Sequence, residues 1–208
     1  MGRYTGPACK KCRRVGLKLF LKGDRCYMAK CPIERGAGVP GPHGAGRRPR
    51  LKDYGLQLQE KQRLRTMYGM QEGQFRLFFA RALRARGVTG EVLLQALEMR
   101  LDNIVFRMGA APSRRAARQF VRHGHVRVNG EKVNIPSFKC KKDDVIVVRD
   151  AKQSREYAKP NMEAAEGTQP SWLAIEKGAF KATVDHIPTR EELAPVVNEQ
   201  LIVELYSK

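Results

Sequence analysis

The fold is decided by residues 113–130, which read SRRAARQFVRHGHVRVNG. Ser113 is a preferred N-cap residue, and the run after it predicts a helix to about His123. Gly124 turns the chain out of this helix. Asn129-Gly130 is the strongest short-range hairpin signal and matches a type I′ turn. A helix followed by a hairpin indicates a compact mixed module.

Strands are predicted on both sides of that turn. Val126 and Val128 alternate with polar residues, while Val133 and Ile135 keep one face of the return strand apolar. The run VIVV at 145–148 follows a polar turn and reads as a buried strand. The module therefore contains a small sheet.

The pattern upstream, from residue 52 to 108, is helical, with breaks at Gly69 and around 87–90. Gly109 ends the last of these helices. A single amphipathic helix is indicated by one apolar stripe, formed by Leu93, Leu97, Leu101, Ile104 and Met108. Downstream we expect a polar helix broken near Pro160, short strands within 172–184 and an apolar final segment at 201–206.

The charge of the chain points to a polyanionic partner. Its 208 residues include 40 Lys plus Arg against 21 Asp plus Glu, a formal charge of +19. Residues 1–52 hold 14 basic and 2 acidic side chains, whereas 151–208 hold 7 and 9. No stretch is apolar enough to cross a membrane, and neither a signal peptide nor a lipidation motif is visible, so we expect a cytoplasmic protein without a membrane partner.

The basic helix of the module is the sharpest functional signal. At 100° per residue its four arginines span about 100°, with the apolar side chains opposite. Gly124 then lets His125 and Arg127 continue the basic surface along the strand. Arginine forks bind phosphate by paired hydrogen bonds, and few side chains here could read a base edge. We therefore favour RNA, recognised by shape, over DNA. The arginines are Arg114, Arg115, Arg118 and Arg122.

Four cysteines in the first 31 residues suggest a metal site. Cys9-x-x-Cys12 and Cys26-x4-Cys31 have the spacing of a closed, structural zinc site with four thiolate ligands. Two disulfides, an iron-sulfur cluster or four free thiols are the alternatives, and disulfides are disfavoured in a cytosolic protein. Cys140 is unpaired, and we interpret it as a small packed side chain. The Gly/Pro/Arg-rich stretch at 32–50 could be a passive linker, but its cations favour an extension that is ordered only against phosphates.

The run from Arg100 to Gly130, RLDNIVFRMGAAPSRRAARQFVRHGHVRVNG, resembles the S-four RNA-binding module. The start MGRYTGPACKKCRR and the end VNEQLIVELYSK resemble the bacterial small-subunit ribosomal proteins of the S-four family, so the resemblance covers essentially the whole chain. It implies an α+β protein with a largely helical first domain and a second domain whose small antiparallel sheet and helices carry the module. We expect three parts. A zinc-bound basic segment and extension occupies 1–50, a helical domain at 51–98 is completed by the tail at about 185–208, and the sheet domain occupies 99–184.

The resemblance also implies a structural, non-enzymatic role. Members of this family bind small-subunit ribosomal RNA directly, nucleate early subunit assembly and contribute to translational accuracy through neighbouring ribosomal proteins. Messenger RNA, where it enters the ribosome, is a further partner that the resemblance suggests. In this sequence the module's RNA-contacting positions are Arg107, Ser113, Arg114, Arg115, Arg118, Gln119, Arg122, His123, His125, Arg127 and Asn129. To these the basic N-terminal region adds Arg3, Arg13, Arg14, Lys18, Lys22, Arg47, Arg48 and Arg50.

Two other functions compete with this interpretation. An RNA-modifying enzyme could use the module as an accessory, but the sequence shows neither a phosphate-binding glycine loop nor a catalytic pairing of plausible context. A zinc-containing DNA-binding regulator would explain the cysteines and the charge, but no base-reading helix follows the cysteines.

Overall fold

A computed structural model of the protein describes every residue except 1, 3, 43, 45, 47–49, 166, 168, 177, 194–196 and 208. The chain divides into two compact units. Unit 1 comprises residues 1–90 and 195–208, and unit 2 comprises residues 91–194. The domain limits expected from the sequence, 98/99 and 184/185, differ from these. Residues 91–98 and 185–194 belong to unit 2, where the Gln95 side-chain amide donates to the Pro188 carbonyl oxygen at 3.1 Å.

The described residues form an α+β structure. In chain order the helices are α1 (Ala8–Val15), α2 (Asp53–Met67), α3 (Glu72–Arg84), α4 (Thr89–Glu98), α5 (Leu101–Arg107), α6 (Arg114–Arg122), α7 (Lys152–Ala164), α8 (Arg190–Leu193) and α9 (Glu199–Tyr206), with a 3₁₀ turn at Gly23–Cys26. The strands are β1 (Val126–Val128), β2 (Glu131–Lys132), β3 (Val145–Val148), β4 (Leu173–Glu176) and β5 (Lys181–Val184).

Unit 1 is helical, and its last helix packs against its first long one. Helix α9 lies against α2, and the Tyr206 ring stacks on Phe79 with 4.5 Å between ring centroids. The Tyr206 hydroxyl donates to a Glu72 carboxylate oxygen at 2.8 Å, and the same oxygen accepts from Lys61 at 2.7 Å. Burial, together with this hydrogen bond to the carboxylate, raises the pKa of Tyr206. A ring contact and a hydrogen bond thus hold the C-terminal helix in unit 1.

The sheet belongs to unit 2 and is antiparallel throughout, in the order β2-β1-β3-β5-β4. Val128 pairs with Glu131, which leaves a two-residue turn between β1 and β2. Both turn residues have positive φ, 51° at Asn129 and 86° at Gly130, as a type I′ turn requires. The predicted hairpin is confirmed.

One apolar core fills unit 2 between this sheet and helices α5, α6 and α7. Ile104, Val121, Ile146 and Trp172 are among its fully buried side chains. Strand β3 alternates between half-buried and buried positions, because only one of its faces meets the core. Cys140 lies in this core as a packed side chain, and burial raises the pKa of its thiol to about 12.

The single helix predicted across residues 93–108 is wrong. The apolar stripe is buried as expected, but the helix breaks between α4 and α5. Arg100 has an extended backbone and forms a β-bridge with Lys139, and the Leu101 amide donates to the Phe138 carbonyl oxygen at 2.9 Å. These pairings with a distant segment override the local periodicity, which cannot register them.

Two smaller expectations also fail. Helix α7 continues through Pro160 instead of breaking there. A proline removes one backbone donor, and here the buried face formed by Ser154, Ala158 and Met162 keeps the helix in place. On the return strand Val133 packs against the core, but Ile135 is exposed because β2 ends at Lys132.

Candidate nucleic-acid interface

Helix α6 is fixed at both ends by its own sequence. The Ser113 hydroxyl accepts a hydrogen bond from the Ala116 amide at 3.3 Å, which confirms the predicted cap. At the other end Gly124, with φ 74°, donates to the Val121 carbonyl oxygen at 2.9 Å, and His125 donates to that of Phe120 at 3.3 Å. These two bonds form a Schellman motif. The motif brings the His125 ring onto the Phe120 ring, with 4.8 Å between centroids.

Under α6 lies a first buried carboxylate, Asp102. Its two oxygens accept from Nε and Nη2 of Arg100 at 3.0 and 2.7 Å. Arg118 of α6 donates to the same carboxylate at 3.1 Å. The Arg118 residue is only 8% exposed. A buried charge of this kind is stable only when it is paired, so Arg118 ties α6 to α5.

A second buried carboxylate, Glu98, lies at the end of α4. Arg107 donates to both of its oxygens, at 2.9 and 2.7 Å, and the Asn103 amide donates at 2.6 Å. Arg114 donates to Asn103 Oδ1 at 2.7 Å and lies 3.7 Å from Glu98. We call this set the buried ion network. It consists of two carboxylates, one amide and the arginines bonded to them: Glu98, Asp102, Asn103, Arg100, Arg107, Arg114 and Arg118.

This network corrects one prediction about the basic helix. The four arginines of α6 do not share a solvent face: Arg118 is buried, and the Arg114 side chain is 13% exposed and stacks on Phe106. Arg115 is half-buried, whereas Arg122 is exposed. The helical repeat identifies which side chains share a side of α6. It does not reveal that α4 and α5 place carboxylates beneath that side.

An exposed basic edge remains at the end of α6 and on the adjoining hairpin. Gln119, Arg122, His123 and Arg127 are all exposed. Arg127 of β1 lies directly opposite Lys132 of β2, and both side chains are exposed. Like charges in direct cross-strand register repel each other, so this pair favours an anion bound over it. We call Arg122, His123, Arg127 and Lys132 the basic edge.

Asn129, another predicted RNA contact, has a structural role in its turn. Its side-chain oxygen accepts from the Val145 amide at 2.8 Å, and its amide group donates to Asp144 at 2.9 Å. Both bonds hold the β1–β2 turn to the start of β3. The residue is nevertheless exposed, so its outer surface is available to a ligand.

Beside the basic edge, a groove of about 330 Å³ runs between α6 and α7. It is lined by Ala116, Gln119, Phe120, His123, His125, Gln153 and Tyr157. The Phe120 ring stacks on His125 and, at 5.3 Å between centroids, on Tyr157. Burial lowers the pKa of His125, and the nearby His123 and Arg149 lower it further. His125 is therefore mainly neutral at neutral pH.

The predicted RNA contacts of the N-terminal region differ in their surroundings. Arg13 donates to the Gly38 carbonyl oxygen at 2.7 Å, and Lys18 forms an ion pair with Glu34. Both therefore have partners within unit 1. The remaining described members are exposed: Arg14, Lys22 and Arg50. Arg3, Arg47 and Arg48 lie outside the described residues.

None of the four N-terminal cysteines forms a disulfide; three of them are buried and Cys9 is half-buried. Burial raises the pKa of the Cys12 thiol, and the charges of Cys26, Cys9 and Cys31 raise it further. In the part of the chain that the structure describes, no group of three or more His, Cys, Asp or Glu residues is arranged to hold a metal ion.

Sequence reasoning missed four charged residues of this region: Arg100, Glu98, Asp102 and Lys132. Lys132 can be recognised as part of the site only from the strand register, which places it opposite Arg127. Glu98 and Asp102 flank the break between α4 and α5, and inside an amphipathic pattern they resemble ordinary surface charges. The sequence did contain a signal for the two carboxylates, because carboxylates near a run of arginines can form ion pairs with them.

None of the described helices is both long and apolar enough to cross a membrane.

Comparison of the sequence with known proteins places the chain in a family. Residues 3–98 match the family described as ribosomal protein S4/S9 N-terminal domain, and residues 99–146 match the S4 domain. The chain is similar to small ribosomal subunit protein uS4A of Symbiobacterium thermophilum, with 52% identity over 208 residues, and to uS4 of Citrifermentans bemidjiense, with 54% over 212. It is also similar to uS4 of Acidithiobacillus ferrooxidans, with 51% identity over 209 residues, and each pair is covered over 100% of both chains. The chain therefore belongs to the uS4 family of small ribosomal subunit proteins.

Proposed function

We propose that this protein is a structural, non-enzymatic component of the small ribosomal subunit and binds small-subunit ribosomal RNA directly. Relatives that match it over its full length are named as small ribosomal subunit proteins, which supports this role and a place in the cytoplasmic ribosome. The same relatives do not favour an RNA-modifying enzyme or a DNA-binding regulator. Neighbouring ribosomal proteins are its further partners.

The observation that carries RNA binding is the basic edge of unit 2. Arg127 and Lys132 are exposed and directly opposed across the hairpin. Within the described residues, none of the ion pairs involves Arg122, Arg127 or Lys132. Cations that lack carboxylate partners and repel each other are stabilised by a phosphate backbone. RNA would thus neutralise a surface that the protein itself leaves charged.

A double substitution tests this surface. Replacing Arg127 and Lys132 by alanine should weaken binding to small-subunit ribosomal RNA and reduce the slope of log K against log salt by about 2, one for each lost phosphate contact. The urea midpoint should stay close to that of the native protein, because both side chains are exposed. Filter binding at several salt concentrations gives the slope.

Lys181→Ala is the matched control. Lys181 lies on the same sheet, but Glu176 neutralises it at 2.8 Å. Its removal should leave the slope unchanged. If the double variant kept the native slope and affinity, or if Lys181→Ala changed them equally, the basic edge would not be the RNA-binding surface.

Nucleation of early subunit assembly and a contribution to translational accuracy are finer parts of the same proposal. They rest on the resemblance of the whole chain to the family. The exposed cations Arg14 and Lys22 of unit 1 support messenger RNA as a further partner. Reconstitution of subunits with and without the protein tests assembly, and crosslinking of a bound message to unit 1 tests the messenger contact.

We also propose that Cys9, Cys12, Cys26 and Cys31 bind one structural zinc ion. The spacing of the two pairs and the burial of three of the thiols support this proposal. The described arrangement does not yet converge on a common point. Such a site would lie in the segment from α1 to Cys31. Four thiolate ligands would leave no open coordination position, so such a metal would only stabilise the segment.

Elemental analysis of the purified protein tests the metal. We expect about one zinc per chain, with iron measured in the same sample to test for a cluster. Replacing Cys9 and Cys12 by serine should remove the zinc, whereas Cys140→Ala should retain it because Cys140 belongs to unit 2. Native protein free of zinc would refute the site, and iron with sulfide in its place would replace it by a cluster.

A further inference from the structure

The groove between α6 and α7 contains two aromatic rings that a ligand can reach. Phe120 lies at its base, almost buried, with His125 and Tyr157 stacked on it. Tyr157 is 42% exposed, and His125 is half-buried. Aromatic rings of a core are normally covered. Here the outer members of a three-ring stack are left open to solvent in a concave site.

The orientation of these rings is fixed in advance. His125 Nδ1 lies 2.9 Å from the hydroxyl of Ser154, a residue that is buried in α7. The Schellman motif at Gly124 fixes the backbone of His125 as well. Because burial lowers the pKa of His125, the ring is mainly neutral at neutral pH. A fixed, uncharged ring loses little conformational entropy when a planar group stacks on it.

The polar groups around the rings suit a nucleobase in an anionic strand. The exposed amides of Gln119 and Gln153 line the groove and can both donate and accept, as the edges of bases do. None of the described residues that line the groove carries a carboxylate. Arg149 is exposed, its amide donates to the His125 carbonyl oxygen at 2.8 Å, and Arg122 precedes His123 on the rim. Phosphates on either side of a bound base would meet these cations.

We propose that this groove binds one unstacked base of an RNA strand, held by stacking on the rings of Tyr157 and His125. The inference rests on the proposed RNA-binding function and adds a specific point of contact to it. Recognition of RNA commonly uses unstacked bases laid on aromatic or histidine side chains. The groove would anchor a single-stranded loop or bulge, while the basic edge binds the backbone.

Tyr157→Leu tests the stacking contact, because it keeps apolar bulk and removes the ring. The probe is a transcript of the small-subunit ribosomal RNA, and the dissociation constant should rise about fivefold to a hundredfold. The salt slope should stay at its native value, since no charge is lost. Tyr157→Phe keeps the ring and should bind within about twofold of native protein. Tyr54→Leu, the same change at an exposed tyrosine of unit 1, should bind like native protein.

The outcomes separate this inference from the proposed function. Selective binding by native protein together with native affinity of Tyr157→Leu would overturn the base site and leave RNA binding intact. Equal losses in Tyr157→Leu and Tyr157→Phe would overturn stacking in favour of a hydroxyl contact, and equal losses in Tyr54→Leu would overturn specificity for the groove. Failure of native protein to bind the transcript selectively would refute both proposals.

Crosslinking in assembled small subunits gives an independent readout. Ultraviolet irradiation followed by mass spectrometry should attach an RNA base to Tyr157 or His125. Chemical crosslinks from the groove to another ribosomal protein, without any RNA adduct, would show that a protein occupies it and would overturn the proposal.

Discussion

Replacement of Glu98 by glutamine should destabilise unit 2 substantially, although it changes the shape of the side chain very little. The Glu98 side chain is 1% exposed and accepts from Arg107 twice and from Asn103 once. Glutamine keeps one acceptor oxygen but places an amide group against the guanidinium of Arg107. It also removes the negative charge that balances Arg107 and Arg114.

The loss of unfolding free energy depends on how well the arginines that lose the Glu98 charge can be rehydrated. Removing one partner of a buried ion pair costs about 3–5 kcal/mol when the other charge stays buried. The Arg107 side chain is 29% exposed and can recover part of its hydration, whereas Arg114 is 13% exposed and keeps its bond to Asn103. We therefore expect a loss of about 2–3 kcal/mol in the free energy of unfolding of unit 2.

The assay uses the single tryptophan of the chain, Trp172, which is 1% exposed and lies in unit 2. Its fluorescence during urea unfolding reports this unit. With a slope of about 1–3 kcal/mol per molar urea, this loss should lower the urea midpoint by about 0.7–3 M. Glu91→Gln is the matched control in the same helix, where a half-buried carboxylate accepts from Gln95 at 3.5 Å. It should change stability by less than about 0.5 kcal/mol. Equal midpoints for the two variants would show that the ion pairs of Glu98 do not stabilise unit 2.

Three further predictions follow from named contacts. Arg118→Ala should lower the stability of unit 2 by about 1.5–3 kcal/mol in the same urea assay, because it removes a charged hydrogen bond from a buried carboxylate. The exposed Arg122 is the control: Arg122→Ala should leave the urea midpoint unchanged and weaken RNA binding. Gly130→Ala should cost about 1–2 kcal/mol through its φ of 86° alone, since an added Cβ would meet no atom within 4 Å; no loss of stability would show that the turn relaxes. The hydrogen bonds of Ser171 and Thr189 lower the pKa of Glu192 to about 2. The ionised Glu192 should therefore stabilise the folded protein above the ordinary glutamate pKa, and this stabilisation should fade as pH falls towards 2. Hydrogen bonds to Asp185 and Glu192 raise the pKa of His186, whose contribution should be complete below its ordinary pKa and fade as pH rises through the raised value. The destabilisation by Glu192→Gln, measured by urea unfolding across this range, should therefore peak near pH 5, and a pH-independent difference would contradict it.

The parts of the fold that depend on local chemistry could be predicted from the sequence. The Ser113 cap, the Gly124 helix end and the Asn129-Gly130 turn each express a backbone preference of one or two residues, and the structure has all three. Helical periodicity also identified the buried stripe around Leu97 and Ile104. Such signals need no knowledge of distant parts of the chain.

The remaining features depend on pairings between distant segments. The break at Arg100 is imposed by residues 136–140, and the burial of Arg118 depends on Asp102 of another helix. A helical wheel treats each helix alone, so it could not show which arginines are already neutralised. Lys132 became part of the candidate site only through strand register.

Competition binding can show whether the protein is an RNA-binding component of the small ribosomal subunit. Purified protein would be bound to small-subunit ribosomal RNA and challenged with transfer RNA and with duplex DNA. We predict tight binding that neither competitor displaces at comparable concentration and that weakens steeply with salt. Displacement by transfer RNA or duplex DNA would mean that the basic edge binds polyanions without selecting this RNA, and would contradict the claim.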